Sequence, residues 1–273
     1  MNTPLVIRPR AEDVEGQPIL RPLPSAKCRS VGPFVFFDHM LETRYEAGKG
    51  MNIRQHPHIG LSTLTYLFEG KIQHKDSLGS DQVVEAGDVS WMTAGSAIAH
   101  VERTPETLKD SGFTMHGLQI WLASPKEKEH GPGHYSHHPA ATLPVSDNLG
   151  VKIRMIAGSG FCLESPVPVL SPTLYAELNL QTMHREAAVL QRLGRALDVG
   201  NCAACRHPAD ITGLHYLVGA EAVLVLDFSF EQVREGRQTN VRMLTDVHAF
   251  SRLITGFEHV VEKHERPDAA AFG

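Results

Sequence analysis

Short apolar runs rich in β-branched and aromatic residues recur about every ten residues between Phe34 and Ala123. Examples are residues 34–37 (FVFF), 64–68 (LTYLF) and 118–122 (LQIWL). Runs of this kind, separated by Gly, Asp and Ser, are typical of strands in a β-sandwich or barrel rather than of βαβ units. Similar runs at 151–158, 174–180, 214–218 and 222–230 continue the pattern, whereas 186–197 has a helical pattern. The sequence therefore predicts an all-β chain.

Two pairs of potential metal ligands lie in the first half of the chain, within Gln55-His56-Pro57-His58-Ile59-Gly60 and Ala99-His100-Val101-Glu102. In an extended strand, residues i and i+2 share one face, so each pair can aim two ligand atoms at one point. Three imidazoles and one carboxylate suit Fe(II), Mn(II), Ni(II), Cu(II) or Zn(II) without selecting among them. The two pairs therefore predict a metal centre made of His56, His58, His100 and Glu102.

The residues around the first pair have the spacing of the first cupin motif. Gly50 is followed after five residues by His56-x-His58, then after four by Thr63 and after six by Gly70. Thr63 stands at the usual position of a glutamate, so Glu102 is the expected source of the carboxylate. Five blocks in order resemble the pirin family, a branch of the cupins. They are residues 32–39 (GPFVFFDH), 56–60 (HPHIG), 87–95 (GDVSWMTAG), 100–102 (HVE) and 116–121 (HGLQIW).

The resemblance covers about residues 20 to 180 and implies a bicupin, in which two jelly-roll β-barrels with a few short helices stand face to face. It implies an N-terminal metal-binding cupin domain at 1–140. A C-terminal cupin-like domain at 141–273 is expected to diverge after about 180. The boundary is placed in the His-, Pro- and Gly-rich stretch between Pro125 and Pro144, which is predicted to be a loop. The resemblance also implies Fe(II) at His56, His58, His100 and Glu102, with Mn, Ni, Cu, Co or Zn as possible substitutes.

The function implied by the resemblance is a quercetin 2,3-dioxygenase-type activity, in which a small aromatic chelating substrate such as a flavonol is opened with O2. Glu102 is expected to act as both a metal ligand and the general base that ionises the substrate hydroxyl. The alternative is a metal- or redox-dependent regulatory protein that binds a transcription factor or a metabolic enzyme. A barrel that holds a metal without turnover is a third hypothesis, since all three need the same four ligands.

Composition excludes other classes of function. The chain of 273 residues carries 26 Lys+Arg against 31 Asp+Glu, a formal charge of -5, and no run of five basic residues. Direct nucleic-acid binding is therefore disfavoured. No apolar stretch approaches the ~20 residues that cross a bilayer, and the N-terminus lacks an apolar signal core, so a cytoplasmic protein without a membrane partner is predicted. A monomer is expected.

The remaining cysteines and histidines have plainer interpretations. Four scattered cysteines, at positions 28, 162, 202 and 205, are expected to be reduced thiols, and the Cys202-x-x-Cys205 pair lacks the second pair that a structural zinc site needs. His39 and His116 are expected either to support the metal ligands or to pack in the core. The histidines at 130, 134, 137 and 138 are expected in a solvated loop.

Overall fold

A computed structural model describes residues 7, 9–148 and 151–180 and four further strand segments at 210–211, 214–218, 221–226 and 228–229. The strands of the first part are β1 (Arg10–Val14), β2 (Gln17–Leu23), β3 (Phe34–Tyr45), β4 (Asn52–His58), β5 (Leu61–Glu69), β6 (Lys71–Asp76), β7 (Asp81–Glu85), β8 (Val89–Thr93), β9 (Ile98–Arg103), β10 (Phe113–Ala123) and β11 (His134–His138). The strands that follow are β12 (Val145–Asn148), β13 (Val151–Gly160), β14 (Leu163–Glu164), β15 (Leu174–Leu180), β16 (Asp210–Ile211), β17 (Leu214–Val218), β18 (Glu221–Leu226) and β19 (Phe228–Ser229).

Helical structure in the described part is limited to a four-residue helix, α1 (Glu106–Lys109), and two 3-10 turns at Lys126–Lys128 and Ala140–Thr142. No helix there could therefore span a lipid bilayer. The all-β prediction is confirmed.

Two antiparallel sheets enclose the first core. One has seven strands in the order β1-β2-β3-β10-β5-β8-β11, and the other has four in the order β4-β9-β6-β7. Apolar side chains from both sheets meet between them, among them Ile19, Met40, Leu67, Ile72 and Val84. Successive residues of a strand point to opposite faces, so the polar residues of β4 and β9 that point inward share this interior with the core.

The opposite face of the seven-stranded sheet carries a second core. Leu64, Trp91 and Ile120 pack there with Ile156 and Tyr175, which lie on β13 and β15. Those two strands belong to another antiparallel sheet, in the order β12-β13-β15-β18-β17, with β14 paired to β13. The seven-stranded sheet therefore contributes to cores on both of its faces. Division of the chain at about residue 140 stays a prediction, although β12 opens this separate sheet.

The predicted strand boundaries agree with the structure at several places. β15 and β17 cover the predicted runs 174–180 and 214–218, and the runs at 34–37, 64–68 and 118–122 lie within β3, β5 and β10. The predicted helix at 186–197 and the Cys202-x-x-Cys205 pair lie outside the described residues. So does much of the chain after 180, where divergence was expected.

Two predictions require correction. The stretch between Pro125 and Pro144 is not only a loop, because β11 pairs along its whole length with β8. Cross-strand pairing overrides the weak strand propensity of its His and Ser residues. The expectation of reduced thiols fails for Cys162, which is disulfide-bonded, whereas Cys28 is free. A low cysteine count excludes a disulfide framework but not a single bond.

Candidate metal centre

The two predicted ligand pairs lie on neighbouring strands. β4 and β9 are antiparallel, with His56 opposite His100. A β-bulge lies between Ile53 and His56 on β4, and it turns the end of the strand that carries both histidines. Pro57 is exposed on β4, which is an edge strand of its sheet. Proline has no backbone N–H to donate, and an edge strand tolerates this loss because one of its sides pairs with no other strand. The two pairs therefore lie on neighbouring strands, and the predicted set of four ligands stays a prediction.

Three imidazole nitrogens converge at this point. His100 Nε2 lies 2.9 Å from His56 Nε2 and 3.0 Å from His58 Nε2. His58 and His100 are buried, whereas His56 is half-buried and forms the solvent side of the cluster. Two nitrogens bound about 2.1 Å from one ion and 90° apart are separated by roughly 3.0 Å. The spacing of these nitrogens therefore fits a shared cation.

The proton positions can be assigned for His56. Its Nδ1 lies 2.8 Å from the carbonyl oxygen of Arg54, which can only accept, so Nδ1 carries the proton. Nε2 of the neutral ring then presents a lone pair to the other two histidines. A lone pair needs a donor or a cation, and a metal ion would satisfy several converging lone pairs at once.

Burial keeps the buried histidines of this cluster neutral. It lowers the pKa of His58 to about 4, and the neighbouring His100 and His56 lower it further, while Glu102 opposes them. Burial likewise lowers the pKa of His100 to about 3, helped by His56 and His74 and opposed by Asp76. At neutral pH both rings are therefore free of the second proton that would compete with a metal.

Glu102 belongs to a second group of potential ligands, together with His74 and His100. The ligand atoms of His56, His58 and His100 lie within 4.8 Å of one another, and so do those of His74, His100 and Glu102. His100 is thus common to both groups, and the four predicted residues do not form one such group. The Glu102 carboxylate is buried, and its Oε1 lies 3.2 Å from the hydroxyl of Thr65.

An interior cavity reaches Glu102. Apolar side chains of five strands line it together with Met51; the strand residues are Val14, Ile19, Met40, Ile53 and Ile72. The polar lining consists of Glu102, Gln119, Gln17 and Asp38. Gln119 Oε1 accepts a hydrogen bond of 2.8 Å from Thr65 Oγ1. The cavity has a volume of only about 40 Å³, so a carboxylate and an amide face an apolar space that admits water-sized groups.

Sequence reasoning missed His74, which is buried on β6 opposite Glu102. Its Nδ1 lies 3.3 Å from His100 Nδ1, and its Nε2 lies 3.1 Å from Asp76 Oδ2. Burial opposes ionisation of Asp76, but hydrogen bonds from His74, Ser80 and Leu78 hold the pKa of its carboxyl below the usual value. The alternating pair His74-x-Asp76 was the available signal, because it repeats the i, i+2 spacing of the ligand pairs.

The other predicted residues lie elsewhere. His39 and His116 contact each other, with their Nε2 atoms 2.9 Å apart, and His116 packs on Phe68 at the second core. The four histidines near β11 belong to none of the ligand groups found among the described residues. His137 instead lies 2.8 Å from Asp88 Oδ2.

Residues 16–122 match the family model named Pirin. This part of the chain is therefore similar to the pirin family. Among curated relatives, a "Pirin-like protein" of Caulobacter vibrioides is 47% identical over 65% of this chain and 62% of its own length. A Pseudomonas aeruginosa protein provisionally named a quercetin 2,3-dioxygenase is 38% identical over 62% of this chain and 51% of its own length. The chain therefore spans little more than half the length of these relatives.

A solved structure resembles the fold over a larger part of the chain. The crystal structure titled quercetin 2,3-dioxygenase from Acinetobacter baumannii superposes with a TM-score of 0.62 and 27% identity. The match covers 82% of this chain and 71% of the solved one. The predicted resemblance to pirins and the cupin fold are thus confirmed, and all the potential metal ligands discussed above lie within the pirin match.

Proposed function

We propose that this pirin-like chain is a mononuclear metal-dependent dioxygenase that opens a flavonol-type substrate with O2. The observation that carries the proposal is the meeting of three imidazole nitrogens beside a buried carboxylate that lines an apolar cavity. Relatives named as quercetin 2,3-dioxygenases support the substrate class. A flat aromatic molecule with a neighbouring hydroxyl and carbonyl would chelate the cation through these two oxygens, and the cavity of about 40 Å³ would admit only a small group of it.

The proposed ligands are His56, His58, His100 and Glu102. Their nitrogen and oxygen donors fit a divalent first-row metal, and Fe(II) is proposed on the basis of the pirin resemblance. When bound, the metal would supply a Lewis acid for the substrate hydroxyl and a redox partner for O2. Glu102 would turn from its contact with Thr65 toward the three histidines, because its carboxylate already groups with His100.

Glu102 is the proposed general base. The substrate hydroxyl would give its proton to a Glu102 oxygen once the carboxylate has turned from Thr65 toward the histidines. Gln119 faces the cavity beside Glu102, and its Oε1, at 2.8 Å, is nearer to the single hydroxyl proton of Thr65 than the Glu102 oxygen at 3.2 Å. Its amide N–H groups are placed to donate to a substrate oxygen. The apolar cavity wall would lower the local dielectric constant, which strengthens these polar contacts.

The experiment measures metal content, O2 uptake and carbon monoxide release with quercetin. The wild-type chain is expected to bind about one transition-metal ion and to release carbon monoxide. The Glu102→Gln variant is expected to lose roughly 10²- to 10⁴-fold of the turnover, which is the range for a positioned acid-base group. The control is Glu106→Gln, because Glu106 is exposed on α1.

Two results would count against the proposal. A metal-loaded wild-type chain that consumes no O2 and releases no carbon monoxide is not a flavonol dioxygenase, and the regulatory hypothesis would then be favoured. If Glu102→Gln retains full turnover, Glu102 is not the base. Loss of the metal in a variant with both His56 and His58 changed to Ala is the corresponding test of the ligand assignment.

A further inference from the structure

Asp76, His74 and His100 form a continuous hydrogen-bonded chain that ends at the imidazole cluster. Asp76 Oδ2 lies 3.1 Å from His74 Nε2, and His74 Nδ1 lies 3.3 Å from His100 Nδ1. The other ring nitrogen of His100, Nε2, faces His56 and His58. The side chain of Asp76 is fully buried and that of His74 is 2% exposed, so solvent does not interrupt the chain.

The order of donors in this chain follows from its carboxylate end. A carboxylate only accepts, so the proton of a neutral His74 is on Nε2, where it is donated to Asp76. His74 Nδ1 is then an acceptor, and the contact with His100 requires a proton on His100 Nδ1. A neutral His100 therefore has its lone pair on Nε2, the nitrogen that faces the cluster.

We propose that Asp76 and His74 act as positioning residues that fix the tautomer of His100, leaving its Nε2 free to bind a metal ion. The inference rests on the metal centre proposed above, but not on the identity of the substrate. Outer partners of this kind orient a ligand ring and increase its electron donation, so they affect both metal affinity and redox potential. Neither residue is assigned a contact with the metal or the substrate.

The surroundings of His74 hold its ring in place for this role. Tyr135 of β11 stacks on it, with ring centroids 4.3 Å apart and planes 13° from parallel. Tyr135 itself accepts a hydrogen bond from Ser90 at 3.1 Å. Asp76 is fixed at its other oxygen, because Oδ1 accepts the backbone N–H groups of Leu78 and Ser80 at 2.8 and 3.1 Å. The His74 ring and the Asp76 carboxylate are therefore both held in fixed positions.

Asp76→Asn is the decisive substitution. It preserves the size of the side chain but reverses the donor and acceptor roles along the series of hydrogen bonds from Asp76 to His100. The Asn oxygen can keep the bonds from Leu78 and Ser80, which leaves its NH2 group to face His74 Nε2. His74 must then accept at Nε2 and carry its proton on Nδ1. His100 Nδ1 becomes the acceptor, and the proton of His100 moves to Nε2, where it blocks metal binding.

The tautomers can be measured directly in the metal-free chain of 273 residues. Long-range proton–nitrogen NMR is expected to show wild-type His100 protonated at Nδ1, and the Asp76→Asn variant with His100 protonated at Nε2. A proton on Nε2 in the wild type, or two protons on His74, would overturn the proposal. This readout needs no metal and no activity.

The binding test uses Co(II) as the probe, followed by calorimetry and by its visible spectrum. Asp76→Asn is expected to weaken Co(II) binding about 10- to 100-fold. The matched control is Asp81→Asn, which removes the same charge from an exposed position on the β6–β7 hairpin, where Asp81 contacts Lys75. It should leave the affinity within about twofold, since exposed charges are screened. Equal losses in the two variants would contradict the proposal.

A double-mutant cycle with His74→Phe tests whether Asp76 acts through His74, because a Phe ring keeps the stacking on Tyr135. In the His74→Phe background, Asp76→Asn should weaken Co(II) binding no further. Additive losses of affinity would show that Asp76 does not act through His74 and would contradict the proposal. If the wild type binds no Co(II), the metal centre and this inference both fail. If it binds Co(II) but does not turn over quercetin, only the proposed dioxygenase function is contradicted.

Discussion

Trp121 controls the surroundings of His58 although it is not a ligand. Its ring lies edge-on to the His58 imidazole, with centroids 5.0 Å apart, and stacks on Phe36 at 4.0 Å. The guanidinium of Arg21 lies 4.5 Å above the other ring of this stack, Phe36. Arg21 is in turn fixed by two hydrogen bonds of 2.6 Å to Asp38. The orientation of one histidine therefore depends on a layered series of side chains.

Replacing Trp121 by Leu should weaken metal binding without removing any donor atom. An aromatic contact of this kind contributes about 0.5 to 1.5 kcal/mol, so a loss of roughly 2- to 10-fold in Co(II) affinity is expected by titration. Ile59→Ala is the control, because Ile59 follows His58 in the chain but is 60% exposed. Unchanged affinity in Trp121→Leu would mean that His58 is held by its backbone alone.

The residues of the candidate site were predictable only where the sequence repeats a spacing. The histidines of β4 and the His100–Glu102 pair stand out because residues i and i+2 of a strand lie on the same face. His74 and Asp76 have that pattern too, but only the antiparallel pairing of β6 with β9 brings His74 opposite Glu102. The contribution of Tyr135 could not be predicted, since it depends on a non-local strand pairing.

The loop between β8 and β9 connects the parts of the chain that carry the ligands. Gly95 has a φ of +54°, and its carbonyl accepts the N–H of Gly60, the turn residue that follows β4. A Cβ at Gly95 would lie 2.2 Å from the carbonyl oxygen of Gly131, which is backbone and cannot rotate away. Glycine is therefore required here for both its dihedral angle and its small size.

Gly95→Ala should destabilise the fold more than the same change at Gly79. Gly79 also has a positive φ, +92°, but a Cβ there would meet nothing within 4 Å. The backbone effect alone costs about 1 to 2 kcal/mol, so Gly79→Ala should lose that amount and Gly95→Ala at least roughly twice as much. Urea unfolding of both variants measures the difference. Equal losses would show that the loop moves freely to accept a side chain.

Strands that fill a core could be located from sequence, whereas strands that complete an edge could not. The runs that lie within β5 and β15 are rich in apolar residues, so the local pattern was sufficient to locate them. β11, with the sequence His-Tyr-Ser-His-His, has no such pattern and is half-buried or exposed throughout. Pairing with β8 fixes the register of β11, and the local sequence of β11 contains no signal for that pairing.

The assembled sheets keep several imidazoles out of water. His39 and His116 lie on the seven-stranded sheet, and His58 and His100 lie on the four-stranded sheet. Burial lowers the pKa of His39 to about 3, with a further contribution from His116. Burial is also the first cause of the low pKa values of His58 and His100, about 4 and about 3. Folding of the metal-free chain is therefore linked to keeping these rings neutral.

The metal-free protein should lose stability as the pH falls from about 7 to 4. In the unfolded chain these histidines titrate near their ordinary pKa of about 6.5, whereas in the fold they stay neutral until about pH 4 or 3. The unfolded state thus binds more protons throughout this window. The stabilisation is complete above pH 6.5 and decreases by up to about 1.4 kcal/mol per pH unit for each such histidine.

Urea unfolding at half-unit pH steps measures this slope, and His39→Gln provides the comparison. Removing one neutral buried imidazole should make the pH dependence shallower by up to about 1.4 kcal/mol per pH unit. An exposed histidine would contribute no slope, because its pKa hardly changes on folding. A metal-free chain whose free energy of unfolding stays constant between pH 7 and 4 would contradict the burial of these rings, and with it the neutral state in which His58 and His100 present lone pairs to a cation.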